Sequence, residues 1–260
     1  MSNQPQIKKE KKPFAVSKLV TWTLGSLVLV LCLFLIFRKP KTENPVGSIL
    51  IEIKSLPNNI NFLTDADIHQ RVDTILENKN FSKAYCEQVL EKNPYIKRAE
   101  VFQDLSGKLK CVITQRQPIV RVINQYQTHY YIDKGGFKFA AQTGTSARVV
   151  VVNGNIQEKV NPQDTLKTQI AQDVFAIASF VEQEVFWKQF TEQLYVDKNK
   201  DIHLIPKVGS FTIVMGNANN LTEKFENLKI FVTTILPKVG WDKYKTINVK
   251  YSNQIVTEKN

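Results

Sequence analysis

An unbroken apolar segment, LVTWTLGSLVLVLCLFLIF, occupies residues 19–37, with no charged side chain between Lys18 and Arg38. As a helix this segment would span roughly 28 Å, which is close to the hydrocarbon thickness of a bilayer. A signal peptide would have a shorter apolar core followed by a small-x-small cleavage site, and the sequence shows neither feature. The pattern therefore predicts a transmembrane helix over residues 19–37.

Beyond a short linker at 40–47, apolar positions first follow a strand pattern over residues 48–54. Thr64 and Asp67 have the spacing of a capping box, and the helical periodicity that follows predicts a helix over 65–77. The pattern then predicts a second helix at 82–92 and strands at 96–104 and 108–115. The order strand, helix, helix, strand, strand predicts a three-stranded sheet with both helices on one side, because this arrangement buries the apolar faces of all five elements.

The rest of the chain is predicted to be rich in strands. They are expected at 119–124, 129–133, 137–139, 147–153, 192–196, 201–206, 210–215, 244–251 and 255–257. One amphipathic helix is predicted from Leu166 to Val181. Another is expected from a cap at Asn220 to Ile235, closed by Pro237 and Gly240, and its buried face is expected to hold Leu221, Phe225, Leu228, Val232 and Ile235. The whole chain is therefore predicted to be α+β.

The distribution of charge favours membrane topology over nucleic-acid binding. The net charge is +11, but residues 1–41 hold eight Lys and Arg against Glu10, while the remaining residues hold 27 basic and 23 acidic side chains. Five lysines precede the apolar segment and three basic residues follow it, which favours a cytoplasmic amino terminus. Residues 1–18 are then a cytoplasmic basic tail, and residues 42–260 lie outside the membrane. The chain, with 260 residues, is long enough for two compact domains.

The sequence shows no pattern of catalytic, metal-binding or cofactor-binding residues. His69, His129 and His203 are far apart and lack a metal-ligand spacing, and there is no glycine-rich phosphate loop or nucleophile elbow. We therefore expect a protein that is not an enzyme and has no metal, cofactor, small-molecule substrate or nucleic-acid partner. Cys86 and Cys111 are interpreted as small core residues, although a disulfide between them stays open.

Five short motifs, in order behind one apolar segment, resemble the cell-division protein FtsQ (DivIB) family. They are Asn93–Val101 followed by Leu109–Pro118, Tyr131–Gly135, Val149–Gly154, Phe225–Leu228 and Ile247–Tyr251. Three positions depart from the family pattern: Gln115 replaces a glutamate, Asn248 an aspartate and Lys250 an arginine.

The resemblance implies a POTRA domain at 47–117 and a β domain at 118–260. It also implies a non-catalytic divisome scaffold that binds FtsB-like and FtsL-like proteins outside the inner membrane, at the septum, and helps regulate septal peptidoglycan synthesis. In the family the terminal strand of the β domain binds FtsB. Carried over by motif, this surface is Lys250, Tyr251, Ser252, Asn253, Gln254, Ile255 and Val256. An edge strand with unpaired backbone groups suits such a role.

Several alternatives stay open at this point. Tyr251 is expected to anchor the interface, but it could instead pack in the core. The lysines near the last strands form either a solvated face or a rim for an acidic partner segment. The chain could also be another POTRA-containing envelope assembly or secretion factor, or a membrane-anchored cell-wall enzyme, which a deep pocket with converging ionisable groups would favour.

Overall fold

The computed structural model describes residues 27, 29, 30, 34, 49–57, 60–77, 82–105, 108–161 and 164–260. The chain divides into two compact units, Met1–Pro45 and Val46–Asn260. In the first unit the four described residues are helical. The predicted basic tail, the linker at 40–47 and all but these four residues of the predicted transmembrane segment lie outside the described residues. Within the described part of the chain, none of the helices has both the length and the apolar character that crossing a bilayer requires.

The second unit begins with the predicted three-stranded sheet. Its elements are β1 (Leu50–Lys54), α1 (Asp65–Leu76), α2 (Lys83–Glu91), β2 (Ile96–Gln103) and β3 (Leu109–Gln115). The strand order is β1-β3-β2, with β1 parallel and β2 antiparallel to the central strand β3. This arrangement confirms the order of elements predicted from the sequence.

Local capping and a shared core explain why this region folds as predicted. The Thr64 side chain accepts a hydrogen bond from the Asp67 backbone, and the Asp67 carboxylate accepts one from the Thr64 backbone, which completes the predicted capping box. Apolar side chains from both helices and all three strands form one core. Its fully buried members include Ile68, Val72, Cys86, Ile96, Cys111 and Ile113.

A ten-stranded mixed sheet follows, in the order β13-β12-β11-β10-β9-β7-β4-β5-β6-β8. Its strands are β4 (Pro118–Ile123), β5 (His129–Asp133), β6 (Phe137–Ala140), β7 (Val150–Gly154), β8 (Asp164–Thr165), β9 (Thr191–Val196), β10 (Ile202–Pro206), β11 (Thr212–Gly216), β12 (Tyr244–Asn248) and β13 (Val256–Lys259). The sequence did not predict the two-residue strand β8. The larger sheet and its helices confirm the α+β class.

The helices of this region cover one face of the large sheet. They are α3 (Gln169–Gln183), α4 (Val185–Phe190), α5 (Leu221–Ile230), a π-helical turn (Phe231–Ile235) and α6 (Leu236–Val239). Phe180 of α3 stacks on Phe225 of α5 with 4.2 Å between ring centroids, and Trp187 of α4 packs edge-on against the same ring. The sequence did not predict α4, whose buried Trp187 and Phe190 complete this core.

The last helical run begins after Asn220 and ends at Gly240, as predicted, but two details differ from the prediction. Asn220 holds the N-cap position, but its backbone is left-handed (φ 53°) and its side chain makes no capping bond. Pro237 does not end the helix; it lies in the first turn of α6, directly after the π-helical turn. Because proline has no N–H to donate, an irregular turn can precede it without losing a regular helical bond. The helix ends at Gly240, whose φ of 97° favours glycine.

A buried ion pair fixes the segment between β7 and α3. The Lys138 ammonium on β6 pairs with the Glu158 carboxylate, and both side chains are almost completely buried. Burial alone would raise the pKa of Glu158, but hydrogen bonds from Lys138, Thr168 and the backbone of Lys167 hold it below its usual value. Since the Glu158 carboxylate also binds Thr168, the N-cap of α3, one ion pair positions both the loop and the start of this helix.

Candidate partner-binding edge

The strand β13 lies at the outer edge of the ten-stranded sheet. It pairs antiparallel with β12, with Ile247 opposite Thr257 and Asn248 opposite Val256. Its other side faces no strand among the residues that the structure describes. An edge strand of this kind presents backbone N–H and C=O groups that a further strand can pair with.

The register shows which backbone groups of β13 are free to pair. The Asn260 N–H donates to the Lys243 carbonyl, so it points toward β12. Because backbone groups alternate in direction along a strand, the N–H groups of Thr257 and Lys259 point away from β12. Among the described residues, no side chain caps either group. These two positions therefore define the open edge.

The residues predicted to bind a partner lie mostly beside this edge. Residues 250–255 form the turn between β12 and β13, and Val256 is the first residue of β13. The predicted strand 244–251 was too long, because it ends at Asn248, whose side-chain oxygen accepts the Lys250 N–H at 2.9 Å and starts the turn. The predicted strand 255–257 instead runs from Val256 to Lys259.

Two polar contacts hold this turn against the rest of the fold. The Lys250 ammonium lies 2.8 Å from the Asp201 carboxylate, and this hydrogen bond raises the pKa of Lys250. Its aliphatic chain crosses Gly216, which has a φ of 71° and where a Cβ would come within 2.9 Å of the Lys250 side chain. The Asn253 N–H donates to the Glu223 carboxylate of α5 at 2.9 Å. The turn is therefore anchored at its beginning and near its end.

An open groove lies between this turn and the last helix. Its volume is about 310 Å³, and its lining is aliphatic, aromatic and amide: Asn227, Ile230, Phe231, Ile235, Asn253, Gln254 and Ile255. Ile230 is 60% exposed, and Tyr251 and Val256 nearby are about half exposed. Tyr251 is thus not a core residue. The open edge is flanked by an apolar surface that no described part of the chain covers.

The helical side of this groove was not predicted from the sequence. Ile235 was expected on the buried face of the helix, but it is 37% exposed. Ile230 lies off the predicted apolar face, so no role was expected for it. The sequence signal for Ile230 was an isolated apolar residue on the polar side of an amphipathic helix. The position of Ile235 was not predictable from a regular helical period, because the π-helical turn changes its direction.

Comparison with protein families matches residues 117–258, more than half of the chain, to the family model described as "FtsQ/DivIB, C-terminal related". The chain belongs to the FtsQ/DivIB family. No curated protein matches it in sequence. Membership in this family gives the chain a role in cell division. It also indicates partners among the proteins of the division complex and a location related to the septum. The match includes the whole open edge except the last residue of β13.

Two of the five motifs that resemble the FtsQ/DivIB family meet between the two sheets. Arg116 donates from its Nη1 to the Asp133 carboxylate at 2.9 Å and from its Nε to the Pro94 carbonyl at 3.1 Å. The other oxygen of Asp133 accepts the N–H groups of Gly135 and Phe137, at 2.8 and 2.9 Å. These motifs therefore build the junction between the sheets and lie apart from the open edge.

Aromatic packing and a buried amide complete the junction. Phe62 stacks on Tyr95 with 5.8 Å between centroids and meets Tyr131 and Phe139 edge-on. Gln115 is buried and accepts the Phe62 N–H at 2.9 Å, while its amide donates to the Lys54 carbonyl. Glutamine can both accept and donate here, whereas a carboxylate only accepts, which gives a physical reason for Gln115 where the family has an acid.

Two of the three histidines each contact one charged side chain. His203 pairs with Asp197 at 3.1 Å, and His129 contacts Arg121 at 2.9 Å. Within the described ranges, no group of three or more His, Cys, Asp and Glu side chains is placed to hold a metal ion. The groove beside β13 contains amides and apolar groups, which suit binding a polypeptide chain better than acid–base chemistry.

Proposed function

We propose that this chain is a non-catalytic divisome scaffold whose open edge at β13 receives a strand from an FtsB-like protein, itself paired with an FtsL-like protein. The observation that carries the proposal is the pair of outward N–H groups at Thr257 and Lys259, which continue a ten-stranded sheet. An extended partner segment would complete their hydrogen bonds, and its side chains would supply specificity. Through this contact the chain would help regulate septal peptidoglycan synthesis.

The groove beside β13 supports this mode of binding. Thr257 lies opposite the buried Ile247, so it faces the layer of helices. A strand added next to β13 would direct alternate side chains toward the same layer, over Ile230 and Ile255. We therefore propose that the partner strand carries apolar residues at alternate positions, with Lys250–Val256 contacting its end and Tyr251 as the main anchor.

The topology of the whole chain is part of the proposal. Residues 19–37 would cross the inner membrane once, with residues 1–18 in the cytoplasm and the bulk in the periplasm. Residues 47–117 would be a POTRA domain and residues 118–260 the β domain; the observed element order at 50–115 supports the first assignment. The two rival functions are an envelope assembly or secretion factor and an anchored cell-wall enzyme.

A proline substitution at Thr257 tests the open edge directly. Thr257→Pro removes an N–H that points away from β12, so the ladder between β12 and β13 stays intact while strand addition is blocked. The substitution removes one backbone hydrogen bond and prevents the partner strand from approaching closely. Both losses together should weaken partner binding by roughly 10- to 100-fold. The measurement is titration of the full chain in detergent with the co-purified FtsB-like and FtsL-like proteins.

The matched control is Thr257→Ala, which keeps the backbone N–H and should change affinity by no more than about twofold. Equal affinities for wild type and Thr257→Pro would reject strand addition at β13. Absence of any binding by the wild-type chain would favour an envelope assembly or secretion role, and turnover of a peptidoglycan substrate would favour the enzyme.

A further inference from the structure

Exposed apolar side chains gather at one end of the three-stranded sheet. Between residues 49 and 115 the described large apolar side chains with substantial exposure are Leu50 (60%), Tyr85 (37%), Phe102 (43%) and Leu105 (110%). All except Tyr85 lie at the start of β1, the end of β2 or the turn between β2 and β3. We call Leu50, Phe102 and Leu105 the apolar tip.

The register places two members of the tip, Leu50 and Phe102, on the face of the sheet that the helices leave open. Leu50 and Phe102 both pair with Lys110, so the side chains of Leu50, Lys110 and Phe102 form one row across the sheet. The next row contains Val101 and Cys111, which are buried in the core beneath the helices. Because successive side chains alternate between faces, the row of Leu50 and Phe102 points away from the helices.

The two ends of this sheet have different connections. The described chain enters at Ile49, beside the apolar tip, while β3 leaves for β4 from the opposite end, at Gln115. A strand of this length separates the two ends by roughly 23 Å. Residues 38–48 connect the apolar segment to Ile49, and a chain of that length reaches at most about 40 Å. The apolar tip is thus at the end nearest in sequence to residues 19–37.

We infer that the apolar tip contacts the lipid surface, with Leu105 entering the boundary between headgroups and acyl chains. The inference rests on the proposed membrane anchorage of residues 19–37. Three side chains at one end of a sheet expose at most a few hundred Å², well below the roughly 800 Å² per partner of a stable protein interface. A tethered module needs no such area, because its anchor already holds it near the bilayer, and a few apolar side chains suffice for an interfacial contact.

A spin label beside the tip measures this contact. The label is attached to Lys108→Cys in a Cys32→Ser background of the full chain, reconstituted into vesicles of phosphatidylcholine and phosphatidylglycerol. Cys86 and Cys111 are completely buried and resist labelling in the folded protein. Collision with oxygen, which dissolves in lipid, is compared with collision with a water-soluble nickel chelate. We expect higher accessibility to oxygen than to nickel when Leu105 is present.

Leu105→Asp should reverse this ratio, because a carboxylate is costly in the apolar boundary. Val208→Asp is the matched control, since Val208 is similarly apolar and exposed (54%) on a turn of the large sheet, and it should leave the ratio at residue 108 unchanged. A label at 108 that favours nickel with Leu105 present, or a ratio that Leu105→Asp leaves unchanged, overturns the inference. Capture of the FtsB-like protein by Leu105→Asp at wild-type affinity shows that the proposed function stands independently of this result.

Discussion

The outer strands β2 and β13 end their sheets in opposite ways. On β2, the N–H groups of Ala99 and Val101 point outward, and both are capped: Ala99 donates to the Glu91 carboxylate at 3.1 Å and Val101 to the Glu87 carboxylate at 2.7 Å. On β13, the corresponding outward groups of Thr257 and Lys259 meet no capping side chain among the described residues. One edge is closed by its own module, and the other is open.

The difference teaches how a fold can contain two similar edges and leave only one of them open. Glu87 and Glu91 are four residues apart on α2, so they share one helical face and reach alternate positions of the neighbouring strand. Two carboxylates thereby satisfy the groups that an incoming strand would need. At β13 the helix beside the strand instead presents the apolar groove, which adds contact area to the open backbone.

Proline substitutions at matched positions should separate the two edges most clearly. Val101→Pro removes the N–H that binds Glu87 and should lower the local stability of β2 by about 3 kcal/mol. Thr257→Pro removes an N–H without a partner and should cost less than about 1 kcal/mol. Hydrogen exchange of the full chain in detergent, read from peptides covering 96–115 and 244–260, measures both effects.

Val101→Ala controls for the loss of buried methyl groups, because it keeps the N–H while removing part of a side chain that is 5% exposed. Val101→Pro should be the more destabilising of the two. Similar losses from Val101→Pro and Thr257→Pro would mean that the capped and uncapped edges are energetically alike, and the comparison would fail.

A smaller effect is expected when the cap itself is removed. Glu87→Ala leaves the Val101 N–H without its acceptor and should destabilise β2 by about 1–2 kcal/mol, since a bond to a charged group is lost but water can replace part of it. Glu87→Gln keeps an oxygen acceptor and should recover most of this loss. The measurement is hydrogen exchange of the Val101 amide. Equally fast exchange in Glu87→Ala and Glu87→Gln would show that the negative charge of Glu87 matters more than its hydrogen bond to Val101.

The sequence predicted the first sheet well because its signals are local. The capping box at Thr64 and Asp67, the helical periods and the short hairpin each depend on residues close in the chain, and together they allow few arrangements. The large sheet is harder, because β4, β7 and β9 become neighbours through long connections. Strand order there depends on contacts between residues far apart, which periodicity does not contain.

The sequence predicted the open edge strand only approximately. The motif ending at Tyr251 lies in the turn before this strand, and the strand itself begins at Val256. The Asn248 side chain ends β12 by a local bond, which competes with continued strand pairing. The caps at Glu87 and Glu91 left no sequence signal, since glutamates on a polar helix face are ordinary. Their role depends on how α2 packs beside β2.

The smallest expected effect concerns the buried side of the closed edge. Cys86, on the helix that carries both caps, and Cys111, on β3, are completely buried, and burial raises the pKa of Cys86 from 9.0 to about 11 and that of Cys111 to about 12. In the unfolded chain these thiols ionise near pH 9, while in the folded protein they stay protonated. Folding therefore retains protons above pH 9, and the thiols' contribution to stability falls as pH rises from about 9 toward 11.

Between pH 8 and 9.5 this loss should reach a little under about 1 kcal/mol per thiol. Cys86→Ala has no proton to lose at this position, so the stability advantage of the wild type over Cys86→Ala should shrink across that range. Urea denaturation of the full chain in detergent, followed by circular dichroism at both pH values, measures the difference. An advantage that stays constant with pH would mean that the Cys86 thiol is ionisable in the folded state, and that α2 does not pack tightly enough to hold Glu87 and Glu91 against the edge of β2.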